Sequence, residues 1–214
     1  MIYIYYHPLD QMTDSAELTI RGLRQYLRDL GAYHSQEKDL IPGQDKNQDR
    51  IQDLSSLAPG NVEIHRDSPQ GKPYFKEYPQ ICHNVSHSGA WWVCAYGSVE
   101  LGLDLQKIEE KGRKRVDKIA RRFFHIDEVT WLQGQAEEEF YRLWAYNESY
   151  VKYKGVGLTR GLDAFSTVRF IDGHAEPLLG ADGVCQQEIP FVEGGYYMVL
   201  TSRVKEEVCL RALS

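Results

Sequence analysis

The stretch VELGLDLQKIEEKGRKRV, Val99 to Val116, runs from a strand into a dense group of cations, and its reading decides the fold. Leu101, Leu103 and Leu105 alternate with Gly102, Asp104 and Gln106. A period of two turns the leucines to a core and puts Asp104 and Gln106 together on the other face. Aspartate is disfavoured in strands, so Asp104 needs a reason for its place, the plainest being a solvated edge. Just upstream lies WWVCAYG, Trp91 to Gly97, split from ELGLDLQ by only a Gly-Ser-Val segment. The two read as adjacent antiparallel strands.

Further out, IYIYY (Ile2 to Tyr6) reads as a strand. SAELTIRGLRQYLRDLGAY reads as a helix, with Leu18, Leu23, Leu27 and Leu30 near helical spacing. Ser15 is its expected N-cap and Gly31 its stop. Gln36 to Asn61 is polar and weakly patterned, a loop with room for one short helix. NVEIHRD alternates as a strand, and SPQGKPYF is a turn-rich connection holding Gly71, Lys72 and Pro73.

Downstream, RVDKIARRFFHIDEVTWL carries helical spacing, and EEEFYRLWAYNESYVKYKG is the strongest helix in the chain. Phe140, Leu143, Trp144 and Val151 share its stripe, and Gly155 then Gly157 end it. AFSTVRFI, GYYMVLTSRV and VCLRAL finish as strands. Each half therefore predicts helices plus an antiparallel sheet, an α+β plan divided near Leu101 into residues 1–100 and 101–214.

The 214 residues are 42% hydrophobic, enough for a real core. A net charge of −6 argues against a general nucleic-acid binder. No run approaches a membrane helix, and MIYIYYHPLD lacks the pattern of a signal peptide, so residence in the cytoplasm is expected. Cys82, Cys94, Cys185 and Cys209 are scattered without ligand spacing and read as buried thiols, not disulfides or a zinc site.

Three clusters are candidates for chemistry: Asp104; Glu148 with Lys152, four apart on the long helix behind Trp144; and HNVSHSG, His83 to Gly89. Each has an ordinary alternative. Glu148 and Lys152 suit an exposed helix salt bridge worth about 0.3–0.5 kcal/mol. Ser86 beside His87 is no hydrolase signature, because neighbours on an extended segment point opposite ways and no G-x-S-x-G frames the serine. A turn with hydroxyl and imidazole donors near Gly-Lys-Pro suits an anion; a helix-entry cap is the duller choice. The run KGRKRVDKIARR is either a solvated helix face or a docking surface for an acidic partner.

Taken in order, these pieces resemble the 4′-phosphopantetheinyl transferases of the larger, surfactin-synthetase-activating type. The matching segments are GKPYF (Gly71 to Phe75), HNVSHSG, LGLDLQK (Leu101 to Lys107), ARRFF (Ala120 to Phe124), LWAYNESYVKYKGVGL (Leu143 to Leu158) and LDAFSTV (Leu162 to Val168). The resemblance implies transfer of phosphopantetheine from coenzyme A to a serine of an acyl or peptidyl carrier protein, releasing adenosine 3′,5′-bisphosphate. It implies a pseudo-dimer of two similar α+β halves with coenzyme A in the cleft between them, and magnesium on the pyrophosphate. A cleft within one chain needs no partner, so a monomer is expected.

By the same resemblance Asp104 and Glu148 are the metal-binding carboxylates, and Glu148 or a water it orients is the base. Lys152 holds the transferred phosphate, Ser86 and His87 contact the phosphates, and Lys72 with Pro73 lies near the adenine or its phosphates. The carrier docks near residues 111–124. Displacement at a pyrophosphate is mostly positioning and electrostatics, which suits these residue types.

Two departures stand inside the motifs. Gln106 replaces the usual glutamate and is limited to weak or water-mediated coordination. Asn147 replaces a usual lysine, which the resemblance reads as one cation fewer near the phosphates. The usual N-terminal Lys/Arg cluster is also missing, with Arg21, Arg24 and Arg28 as the nearest substitutes. An impaired member that binds coenzyme A or a carrier without efficient transfer is the alternative.

Overall fold

The computed structural model describes residues 1–10, 12–40, 62–68, 71–157, 161–171, 174–176, 181 and 183–214; for 33–40, 170–171 and 174–176 it gives the backbone alone. Most of the expected loop, residues 41–61, lies outside the described residues, as do Pro69, Gln70 and Leu158 of the quoted motifs.

The chain is α+β. Strand β1 (Ile2–Pro8) leads into helix α1 (Ser15–Leu40), then the short β2 (Ile64–His65) and β3 (Tyr74–Phe75). β4 (Cys82–Ser88), β5 (Trp91–Gly97) and β6 (Leu101–Lys107) follow, then α2 (Arg113–Phe123), α3 (Ile126–Leu132) and α4 (Glu138–Lys154). A 3₁₀ turn (Leu162–Ala164), β7 (Arg169–Ile171), β8 (His174–Glu176), β9 (Cys185–Glu188), β10 (Tyr196–Ser202) and β11 (Val208–Ala212) complete it. One sheet runs β11-β1-β5-β4 and a second β6-β10-β9. β11 lies parallel to β1, with Ile2 opposite Val208, so the first sheet draws on both ends of the chain.

Period two explains the layers. In β1 the tyrosines Tyr3 and Tyr5 face α1 and join Leu23, Tyr26, Trp92 and Tyr96. Ile2 and Ile4 face the other way, into a core between the sheets built with Val93, Ala95, Leu101, Leu103 and Leu105. A third cluster packs α2, α3 and α4 through Val116, Phe124, Leu132, Phe140 and Leu143.

Several expectations are corrected. β5 and β6 are not a hairpin: β5 is flanked by β1 and β4, and β6 pairs with β10. Both ladder edges of β5 are taken, so Ser98 to Glu100 carries the chain to another sheet. HNVSHSG is not a turn but most of β4, hairpinned to β5 across Gly89, whose φ is +57°. Asp14, not Ser15, caps α1, its Oδ1 accepting from the Ala16 N–H at 2.8 Å. Gly31 does not stop α1, which runs on to Leu40, since one glycine costs only about 1 kcal/mol amid helix formers. Among the described residues AFSTVRFI is extended as a strand only over Arg169–Ile171, and NVEIHRD only over Ile64–His65. Of the four free cysteines Cys94 is buried and the other three half-buried. α4 ends as expected, with Gly155 in the left-handed region at φ 66° and its N–H on the Val151 carbonyl.

Candidate active site

β4 and β6 run side by side without a backbone ladder. Instead, Leu103 N–H donates to Asn84 Oδ1 (2.9 Å), Leu105 N–H to Ser86 Oγ (3.1 Å) and Lys107 N–H to Ser88 Oγ (2.9 Å). Every second residue of β4 thus supplies an acceptor to every second N–H of β6, as the strand period requires. The opposite face of β4, with His83, Val85 and His87, looks into a cleft of about 810 Å³.

The other face of β6 carries Gly102 and Asp104 under α4. A Cβ at Gly102 would lie 2.2 Å from the Ser149 carbonyl oxygen and 2.3 Å from the Tyr153 nitrogen, so only glycine lets α4 come this close. That approach brings Glu148 and Lys152 over Asp104. The Lys152 ammonium donates to Asp104 Oδ1 at 2.6 Å and to Ser86 Oγ at 2.9 Å, and stands 4.0 Å from Glu148 Oε2. Ser86 Oγ also donates to Asp104 Oδ1 at 2.9 Å. Two carboxyl groups remote along the chain therefore flank one ammonium.

Asp104 is 2% exposed, and its Oδ2 is buried without a partner among the described residues. Burial drives its carboxyl above the ordinary value, against the pull of the Lys152 ammonium and the Ser86 hydroxyl. Burial first, and then the Asp104 carboxylate, push Glu148 up to about 7. Glu148 Oε1 is oriented by the Trp144 indole N–H at 2.6 Å, with Trp144 itself packed on Phe124 and Phe140.

Lys152, Lys72, Pro73 and His87 line the cleft. Ser86 faces away from it, onto Asp104 and Lys152. The Lys72 ammonium bonds to Glu100 and to the Leu101 carbonyl, and its stem packs on Gly155. The Gln106 side-chain amide donates to the Lys107 carbonyl at 2.9 Å. Among the described residues no three histidine, cysteine or carboxylate groups gather as a metal site.

Asn147 is corrected outright: it points away from the cleft and is fully buried, donating to Glu128 Oε2 at 2.9 Å. Glu128 also accepts from the Thr167 N–H and hydroxyl, and burial raises its carboxyl. The cap Asp14 and, from α1, Ser15, Ala16 and Thr19 reach the cleft, whereas Arg21, Arg24 and Arg28 do not line it. Arg66 does, and was missed. Asn84 and Ser88 were missed as well, although N-x-S-x-S spacing within HNVSHS carries the strand signal.

Comparison with known proteins bears on this geometry. Residues 100–190 match the family model of the 4′-phosphopantetheinyl transferase superfamily. A 4′-phosphopantetheinyl transferase of Bacillus subtilis is 42% identical over 108 residues, 49% of this chain and 46% of the relative. The 4′-phosphopantetheinyl transferase Sfp of Bacillus subtilis (strain 168) is 34% identical over 135 residues, 61% of this chain and 58% of its own. The 4′-phosphopantetheinyl transferase psf-1 of Bacillus pumilus is 32% identical over 146 residues, covering 65% and 60%. The chain spans about half the length of the curated relatives it matches.

Proposed function

We propose that the chain, whose residues 100–190 match the 4′-phosphopantetheinyl transferase superfamily, is itself such an enzyme. It moves the 4′-phosphopantetheine moiety from coenzyme A to a serine of an acyl or peptidyl carrier protein and releases adenosine 3′,5′-bisphosphate. The observation that carries this reading is the meeting of Asp104 and Glu148 about Lys152 at the rim of a cleft lined by Lys72, Pro73 and His87.

The residues fit a magnesium ion. The unpartnered buried Asp104 Oδ2 and the raised Glu148 carboxyl are hard oxygen donors, and magnesium needs only one or two carboxylates beside substrate oxygens and water. Asp104 and Glu148 would hold it, Gln106 at most through a water, and when bound it draws charge from the pyrophosphate oxygens. Lys152 and His87 bind the phosphates from the cleft side, and Ser86 keeps Asp104 and Lys152 in place. Lys72 and Pro73 lie by the nucleotide. Glu148, or a water it orients, takes the proton of the carrier serine as its oxygen bonds to phosphorus. The bisphosphate leaves with the electron pair of the broken P–O bond.

The carrier docks on α2. Lys114, Arg115, Lys118, Arg121 and Arg122 are exposed there beside Phe123 and Ile126, while Arg113 is tied to the Leu132 and Gln135 carbonyls. Two halves divided near residue 100, one lending β11 to the other, form the pseudo-dimer with coenzyme A between them. The protein works as a monomer in the cytoplasm; among the described residues no helix is long and apolar enough to cross a membrane.

A second reading rests on Gln106, whose amide is spent on its own neighbour's carbonyl: the protein binds coenzyme A or a carrier but transfers slowly. Incubation with coenzyme A, magnesium and a panel of apo-carriers, read by intact mass, separates the two. Transfer adds the phosphopantetheine mass to a carrier, and Asp104→Ala and Glu148→Ala each lower the rate by about 10²–10³-fold while staying folded. Wild-type rates in either variant would sink the assignment. A near-zero wild-type rate rescued by Gln106→Glu selects the second reading.

A further inference from the structure

Lys152 sits as the counter-charge of the two carboxylates that the proposed metal site needs. Its ammonium touches Asp104 Oδ1 at 2.6 Å and stands 4.0 Å from Glu148 Oε2, while Ser86 Oγ steadies it at 2.9 Å. No other cation is paired with Asp104 among the described residues. The Lys152 side chain is 26% exposed and borders the cleft, so it has open space on one side and the carboxylates on the other.

A buried carboxylate pair cannot stay charged without compensation, and here the lysine supplies it. The same ammonium is driven off its contact with Asp104 once a divalent cation is bound between the carboxylates, because like charges so close repel strongly in a partly desolvated site. The four-carbon stem lets the ammonium swing, where a guanidinium would be held by its fork.

We propose that Lys152 is a built-in counter-ion of the Asp104–Glu148 pair that a divalent cation displaces, the ammonium moving from Asp104 into the cleft. This rests on the metal reading above and deepens it. The lysine has two stations: on the carboxylates before the ion is loaded, and free to meet an anionic ligand afterwards. Ion loading and phosphate binding are then positively coupled, because the first event releases the group that serves the second. The proposal also gives Ser86 a purpose beyond the seam, since its hydroxyl marks the first station.

The test measures Mn²⁺ binding to the full chain without coenzyme A or carrier, by electron paramagnetic resonance titration of the free ion. Lys152→Gln keeps a hydrogen-bond donor for Asp104 and removes the charge; it should bind Mn²⁺ about ten-fold more tightly than wild type. Lys152→Arg keeps the charge and should bind no more tightly. An unchanged or weaker affinity in Lys152→Gln, with Asp104→Asn still abolishing binding, overturns the counter-ion role and leaves the metal site standing. No Mn²⁺ binding by any of these proteins overturns the metal site and the counter-ion role together. Should Lys152→Gln not fold, the wild type decides. The ¹⁵N resonance of the Lys152 ammonium, protected by its two bonds, should be lost to solvent exchange on adding saturating Mg²⁺, and its persistence would reject the displacement.

Discussion

The two flanks of β6 are held in different ways. On one side β10 pairs with it through a main-chain ladder in unbroken register, Tyr196 opposite Lys107 through Ser202 opposite Leu101. On the other, β4 holds it through the side chains of Asn84, Ser86 and Ser88. A ladder of peptide groups is indifferent to side-chain identity. A ladder of side chains depends on three particular residues, and it places a hydroxyl beside a buried carboxylate. The candidate site lies on the second flank, where the Ser86 hydroxyl meets Asp104 and Lys152.

The sharpest way to break this contrast is to remove all three β4 acceptors. Asn84→Ala/Ser86→Ala/Ser88→Ala orphans the two buried N–H groups of Leu103 and Leu105 at about 1–3 kcal/mol each, and leaves the exposed Lys107 N–H to water. The sum of about 2–6 kcal/mol is a large share of a domain's stability, so urea unfolding followed by circular dichroism should move to a much lower midpoint. Gly102→Ala comes next. Its Cβ would collide with α4 backbone, so it should cost about 3 kcal/mol in unfolding free energy and lower transfer by shifting Glu148 and Lys152 off Asp104.

His83, on the far face of β4, gives a pH-dependent test. It is stacked on Phe75 with ring centroids 4.3 Å apart, and neither ring nitrogen has a partner among the described residues. Burial first, then the charges of Arg66 and Lys72, lower it to about 4. Its folded value lies below its unfolded one, so the unfolded chain takes up more protons and stability falls as pH drops from about 6.5 towards 4. Between pH 7 and pH 5 the wild type should lose about 2 kcal/mol that His83→Phe retains, read from urea midpoints. On the β10 flank, by contrast, Tyr197→Phe should change stability by less than about 0.5 kcal/mol. A larger loss there would erase the distinction between the flanks.

The same contrast explains what the sequence disclosed. Ladders and amphipathic helices announce themselves, so β1, β6, β10 and α4 with its Gly155 stop were legible from periodicity. β4 was not, because its alternating residues are polar where a strand buried on both faces would be apolar. Adjacency misled in β5 and β6, since a three-residue link permits a hairpin and only competition from β1, β4 and β10 forbids it. Asp104, Glu148 and Lys152 were legible as a group through motif resemblance, and the convergence that makes them a site depends on the missing Cβ of Gly102. Asn147 was misread because one helix turn holds faces about 100° apart per residue, and neighbours such as 147 and 148 serve different layers.

The parallel pairing of β1 with β11 has a consequence for biosynthesis. The strand at the front of the chain finds its outer neighbour only when residues 208–212 have emerged from the ribosome. Until then one rim of the tyrosine-bearing strand has nothing to bind, and its open peptide groups are a template for a second nascent chain. A chaperone that shelters that rim should raise the yield of native protein more than one that acts on the finished chain, and slow closure of so distant a contact should limit the folding rate.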